Sequence, residues 1–429
     1  MKRKTRVVIT GLGVISPNAI GVNAFEKAIK EGVSGIRFFP ELKNLNFRCQ
    51  VGGIPEIQEH VTNEFKSKYN VEEIISTGIL YGCMAGTEAW QNAGLWEVDE
   101  NATPFYRRTG CIFGTGSNGA EATERQRNTL TDHPGKINPK IPIQSLANAV
   151  SIYLNKIIGF NGIVTTNSAA CNTGTEGLLM GYDYIKNGLA DRMLIGSSES
   201  SSFFVWSPFD AMFATAQNCN DAPHKASKPL SALATGFVPG AGAGAFVLES
   251  LDLALERGAR IYCEVLGGNL NSGGQRNKGS MTLGNKQGMI RCFQAAIQNA
   301  GIRPNDIDLI SGHLTSTIGD VAEIESLYEA LELSKNKVPY INSLKSMIGH
   351  SLSASSSIEI IAVALQLARG FIHPSLNALP LHPEIVKYIH EKHIPQVAMD
   401  ALQLKIAAKI SLGFGDVNGC AILKKWENT

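Results

Sequence analysis

The chain opens with a strand-like run, Arg6-Val7-Val8-Ile9-Thr10, then Gly11-Leu12-Gly13, then helical spacing from Val22 to Lys30. A short unbroken run of β-branched residues favours a strand, and apolar positions three and four apart favour a helix. The alternation continues. Helical patterns cover 72–94 and 172–187, and strand-like runs cover 110–114, 192–196 and 244–249. Residues 200–243 are rich in Gly, Pro, Ser and Asn and read as a long functional loop approaching a buried strand. A second series begins at Arg260 to Leu266, followed by a helix near 285–300, a strand near 307–310 and a helix near 320–333. A strand at 338–342, a helix at 355–369 and a strand pair near 404–411 and 418–424 complete it. Two successive series of this kind predict an α/β protein of two halves, 1–255 and 256–429, with the junction near 250–260.

Composition narrows the class. The 429 residues are 44% hydrophobic and 18% charged, which fits a globular, rather apolar chain and excludes a disordered one. The net charge of +1 argues against a general nucleic-acid surface. The eight cysteines form no CxxC pair, so zinc and thioredoxin-like chemistry gain little support. Met1-Lys2-Arg3-Lys4 is basic, but the apolar run after it is too short for a secretory signal, and no membrane span is expected. A reducing, cytoplasmic setting is the simplest reading.

Two glycine clusters invite a nucleotide and refuse it. Gly11-Leu12-Gly13 lacks the third glycine of a dinucleotide fingerprint, because Ser16-Pro17 stands there, and a tight strand-to-loop turn explains it better. Gly240-Ala241-Gly242-Ala243-Gly244 has no Gly-Lys-Ser/Thr ending, so close backbone packing before a central strand is the better account.

Cys171 carries more. It sits in Asn167-Ser168-Ala169-Ala170-Cys171-Asn172-Thr173-Gly174, at the start of a helical pattern. Unpaired N–H groups and the positive end of a helix dipole favour a thiolate, and the small neighbours leave room for a substrate. The alternative is a buried structural cysteine. His313 and His350 each lie in a polar, Gly-containing loop just after a strand, where α/β sheets place their chemistry. The remaining histidines, including His373, His382, His390 and His393, lie in Pro-rich or charged surroundings and read as surface residues. One thiol with a single histidine and an orienting carboxylate suits hydrolysis. Two imidazoles near one thiol suit stabilisation of an oxyanion or enolate, with Lys345, five residues before His350, supplying positive charge.

These segments resemble the β-ketoacyl-ACP synthases, condensing enzymes with a thiolase-like fold, and the likeness runs nearly end to end. Ser168 to Gly174 is similar to the nucleophile elbow, and Gly312 to Asp320 to the His-Gly-Thr-Ser-Thr loop. Lys345 to His350 is similar to the Lys-Ser-x-x-Gly-His loop, and Ser411-Leu412-Gly413-Phe414-Gly415 to the Gly-Phe-Gly turn. The resemblance implies two related α/β halves in five layers, αβαβα, with the site between them. It implies that Cys171 takes an acyl chain from an acyl carrier protein, and that His313 and His350 promote malonyl decarboxylation and stabilise the enolate. Lys345, with Glu359, organises the site; the N–H groups of Cys171 and Phe414 form an oxyanion hole; Phe414 gates the acyl pocket. Thr315 and Thr317 bond the phosphopantetheine arm, which the carrier brings. The protein itself binds no cofactor and no metal. The partners implied are acyl carrier protein, malonyl and acyl thioesters, and a second copy in a homodimer or a related subunit in a heterodimer.

The chain also departs from the pattern. Ala169-Ala170-Cys171-Asn172 stands for Thr-Ala-Cys-Ala/Ser, Leu314 for a glycine, Asp416 for the second glycine of Gly-Phe-Gly-Gly, and Gln217 roughly where an arginine helps dock the carrier. Ser231 to Gly236 replaces a charged segment, so buried charge near the site is expected to be reduced. With the chemical groups retained, an active synthase of a specialised polyene or polyketide-type pathway is expected. The alternatives are a non-catalytic, chain-length-controlling partner subunit, and a coenzyme-A-dependent thiolase or acyltransferase using Cys420 as its base.

Overall fold

The computed structural model describes residues 5–95, 108–133, 139–274, 282–333 and 338–427; the basic opening, 1–4, lies outside the described residues. Strand order reveals an internal duplication. From the centre outward, the N-terminal series runs Val7–Ser16, Gly242–Ser250, Arg192–Glu199, Thr109–Thr115, Val164–Thr165. The C-terminal series runs Cys263–Ser272, Val417–Lys425, Ile406–Gly413, Leu309–Ser311, Tyr340–Asn342. Counted in chain order, each is 1-5-4-2-3. The two first strands pair antiparallel, Val7 opposite Val265, and so join the series into one 11-stranded sheet.

Helices fill three layers. Thr77–Asn92 packs on the outer face of the first series, and Lys286–Ala300 with Gly319–Ala330 on the outer face of the second. Thr173–Lys186 and Ser355–Arg369 lie between, each touching strands of both series. A helix in that middle layer meets protein on every side, so even its polar residues, Glu359 and Gln366 among them, are buried. Residues 355–367 are all buried. Among the described residues one helical stretch, Leu352–Arg369, is long and apolar enough to cross a membrane, and 89% of it is buried inside the protein.

Small residues set how closely these layers approach. Gly11 and Gly13 lie inside the first strand, not in a turn as their spacing predicts. Side-chain carbons there would stand 2.2 and 2.0 Å from the carbonyls of Ala89 and Ala85, so glycine is what lets helix Thr77–Asn92 lie on the strand. In the middle layer, a Cβ on Gly174 would stand 2.4 Å from the Ser357 nitrogen. The two central helices therefore meet at their first turns, where the Gly174 N–H donates to Ser356 Oγ at 2.8 Å.

Two other readings need correction. Residues 200–243 are not wholly irregular: Phe203–Ala211 is a helix. Its apolar residues have no clear periodicity, only Trp206 and Asp210 are buried, and Pro208 interrupts it, so no amphipathic signal marks it. His373 is not a surface residue. It is fully buried, its Nδ1 lies 2.9 Å from the Pro374 carbonyl, and burial lowers its pKa to about 4. Its charged and Pro-rich surroundings in sequence do not reveal that the chain there returns beneath the central helix.

A Gly13→Ala substitution places its methyl against the Ala85 carbonyl. It is expected to cost about 1–3 kcal/mol through overpacking, read as a lower urea midpoint with an unchanged far-UV spectrum.

Candidate active site

Cys171 stands one residue before Asn172, the N-cap of helix Thr173–Lys186. The turn beneath it is tight: Ala170 has φ +49°, and the N–H groups of Asn172 and Thr173 donate to the Ala169 and Ala170 carbonyls at 3.0 and 3.2 Å. Small side chains at 169 and 170 fit this elbow, which leaves Cys171 on the wall of a cavity of about 460 Å³. His313, His350, Thr315, Thr317 and Phe414 line the same cavity.

The helix start does not make the resting thiol acidic. Two first-turn donors, Thr173 and Gly174, are spent on the Ala170 carbonyl and Ser356 Oγ. Burial pushes the Cys171 thiol up to about 12, with the positive charge of Lys345 pulling the other way. Desolvation thus outweighs the dipole argument, and the free enzyme holds a neutral thiol.

The two imidazoles face each other edge to face, with ring centroids 5.4 Å apart. His350 Nδ1 lies 2.9 Å from Ser355 Oγ, and the His350 N–H donates to the Val238 carbonyl at 2.6 Å. Both rings are held well below the ordinary histidine pKa, first by burial and then by the charge of Lys345. Both are therefore neutral, each with one donor and one acceptor nitrogen. That is the state required to present an N–H to a developing oxyanion without being consumed as an acid.

Two carboxylates that sequence reasoning missed shape the loop carrying His313. Glu323 accepts from the N–H groups of His313 and Leu314 at 2.6 and 2.8 Å. Asp320 accepts from Thr315 at 2.7 Å, Ser316 at 3.1 Å and Leu230 at 2.8 Å. These bonds hold Leu314 and Ser316 at φ +25° and +66°, conformations that side-chain-bearing residues rarely adopt. Leu314 can thus occupy a place where glycine is usual. Thr315 Oγ1 and Thr317 Oγ1 lie 2.9 Å apart on the cavity wall.

Behind the histidines, Lys345 Nζ donates to Glu359 Oε1, and Lys409 Nζ stands 2.8 Å from Glu359 Oε2. All three side chains are at most 1% exposed. Lys409 was absent from the sequence candidates, yet it carried a signal: a lone cation inside the apolar strand Ile406-Ala407-Ala408-Lys409-Ile410. Glu199 is also buried near the thiol, bonded to Ser353 Oγ at 2.7 Å, and its carboxyl is raised by burial. Buried charge around the site is therefore abundant, contrary to the expectation of loss, because it comes from residues outside the replaced 231–236 segment.

Phe414 sits 36% exposed at the cavity, its ring 5.8 Å from Phe209. Gly415 supplies φ +89° beside it, and a Cβ on Gly413 would stand 2.8 Å from the Ala169 carbonyl, so the turn lies directly on the elbow. Asn172 does not line the cavity: its Oδ1 would lie 2.2 Å from a Cβ on Gly419, so it packs against that strand. Cys420 is buried on the same strand, within the outer apolar core. Gln217 lies at the surface, its N–H bonded to Thr235 Oγ1.

The sequence matches the model of the β-ketoacyl synthase N-terminal domain over residues 4–254 and that of the C-terminal domain over 262–379. The chain belongs to the β-ketoacyl synthase family. It is 32% identical to 3-oxoacyl-[acyl-carrier-protein] synthase 2 of Vibrio cholerae, covering 98% of this chain and 99% of that one. It is 31% identical to synthase 1 of Escherichia coli K12 over the same shares. Among solved structures it resembles the ketosynthase complex AntDE:AntF, a type II polyketide assembly with its acyl carrier protein, at TM-score 0.87 and 28% identity, covering 99% and 100% of the two chains. The ishigamide ketosynthase/chain length factor follows at 0.84 and 26%, with the same coverage. The five-layer, thiolase-like fold and the condensing acyltransferase class are therefore as the sequence implied.

With its thiol raised, Cys171 of the free synthase is expected to alkylate with iodoacetamide faster at each step from pH 7 to pH 10, by about tenfold per unit. A rate already level at pH 7 contradicts a neutral resting thiol.

Proposed function

We propose that this synthase performs a decarboxylative Claisen condensation, joining an acyl chain held on Cys171 to a malonyl unit carried by an acyl carrier protein. The observation that supports it most is the convergence of one thiol and two neutral imidazoles on one cavity. In the first half-reaction Cys171 Sγ attacks the acyl thioester, a new C–S bond forms, and the pantetheine sulfur leaves. A neutral imidazole is the base available to take the thiol proton and return it to the departing sulfur. In the second, the bond from malonyl carbon to carboxylate breaks and carbon dioxide leaves. The electron pair moves onto the thioester oxygen, where N–H groups of His313 and His350 meet it. The enolate carbon attacks the acyl-Cys171 carbonyl, whose oxygen takes the N–H groups of Cys171 and Phe414, and the Cys171 sulfur departs as a thiolate and takes one proton from solvent. Thr315 and Thr317 hold the pantetheine arm, Phe414 gates the chain, and Lys345 with Glu359 fixes the field. The halves 1–255 and 256–429 each bring part of this set, the first the thiol and the second the rest.

We further read the pathway as a specialised polyene or polyketide-type one, with the synthase in a dimer. Support lies behind the walls: Leu314 in the histidine loop and Asp416 after the gating turn stand where glycines are usual, and both are buried without lining the cavity. The ring contacts Phe414–Phe209–Phe237–His350, at 5.8, 5.5 and 5.3 Å and each tilted or edge-on, give the cavity an aromatic flank.

Intact mass spectrometry with a panel of saturated and conjugated acyl-carrier thioesters is expected to show acyl mass on Cys171, conjugated chains favoured. Cys171→Ala should abolish condensation, and His313→Ala should slow malonyl decarboxylation about 100-fold or more. Unchanged product from the Cys171 variant would falsify the nucleophile assignment and favour a non-catalytic partner subunit.

A further inference from the structure

Glu359 needs only one lysine. Its pairing with Lys345 already makes a neutral buried ion pair, yet Lys409 also reaches it, one lysine on each carboxylate oxygen. The Lys409 ammonium donates as well to the Ile410 carbonyl. The three side chains together carry a net charge of one positive unit in a place with almost no exposure. Burying a surplus ammonium is unfavourable, and its pKa is lowered accordingly, first by burial. A structural role does not require it, since the Lys345–Glu359 pair is complete without it.

Its position gives the surplus charge a direction. Lys409 lies in register with Ser311 on the neighbouring parallel strand, two residues before His313. Its charge acts on both His313 and His350 in the same sense as that of Lys345. Other charged groups face the cluster. Glu323 accepts two N–H bonds from the His313 loop, Asp320 two from that loop and one from Leu230, and Cys420 stands opposite Ile410, the residue after Lys409, on the antiparallel neighbour strand. Burial raises both loop carboxyls, Glu323 to about 7. Two ammonium groups against one carboxylate leave the cluster behind the histidines with one cation in excess.

We propose that Lys409 is a positioning residue of the decarboxylation step: it locks Glu359 between two ammonium groups and maintains a net positive field behind the imidazole pair, favouring the enolate oxygen. This rests on the condensation reading above, and acts through His313 and His350, not by touching substrate. A unit charge in a site shielded from water changes the energy of a developing oxyanion enough to alter a rate by about ten- to hundredfold.

The test compares full-length Lys409→Met and Lys409→Gln with the wild type, using malonyl-acyl carrier protein. Met removes the charge and leaves a neutral Lys345–Glu359 pair; should it unfold, Gln keeps a donor for Glu359 and carries the same test. Expected are a decarboxylation kcat lower by about ten- to hundredfold, an unchanged KM, and unchanged acyl loading of Cys171. The imidazole signals of His313 and His350, followed by NMR, should titrate at higher pH in the variants than in the wild type. Lys409→Arg, which keeps the charge, should recover most of the rate. A variant as fast as the wild type with unmoved histidine titrations overturns the proposal while leaving the condensation reading intact. A wild-type protein inert towards every malonyl thioester overturns that reading, and the positioning role of Lys409 with it.

Discussion

The whole site depends on one contact: two central helices that begin within touching distance of each other. Gly174 and the Ser356–Ser357 backbone approach so closely that a single methyl would not fit between them. Because Cys171 precedes one helix and His350 precedes the other, this contact decides how far the thiol stands from the imidazoles. The Gly174 N–H to Ser356 Oγ bond fixes the approach and withdraws one first-turn donor from the thiol. Geometry is gained and acidity is given up.

The electrostatics follow from that burial. A site this dry raises the thiol and the carboxyls and lowers the imidazoles, which keeps the working groups neutral until substrate arrives. Neutral histidines then act as hydrogen-bond donors, and the positive charge that favours an oxyanion is held one layer further back, on Lys345 and Lys409 around Glu359. Backbone strain is supported by the same means. Glu323 and Asp320 gather five N–H groups and so hold a left-handed Leu314 and Ser316 in the histidine loop.

Most elements were legible because their apolar periodicity matched their environment. The helices at 286–300 and 355–369 and the strand pair 406–413 and 417–425 fall within a few residues of where the pattern puts them. The failures share a cause: the signal lay in contacts between distant segments. Helix Phe203–Ala211 buries only Trp206 and Asp210, so it has no periodic face to read. Asn172, unusual beside the nucleophile, turns its side chain to Gly419 and away from the cavity.

The linear chain by itself determined the α/β class, the two series, and the identities of Cys171, His313, Lys345, His350 and Phe414, since each lies in a short segment whose residues and spacing carry its chemistry. Only the tertiary structure decided their protonation and their supports. Lys409, Glu323 and Asp320 gain their roles from neighbours tens of residues away or from loop bonds no pattern records, and the raised thiol comes from burial. Desolvation and the field of buried charges are properties of three-dimensional surroundings, and a sequence specifies them only by folding.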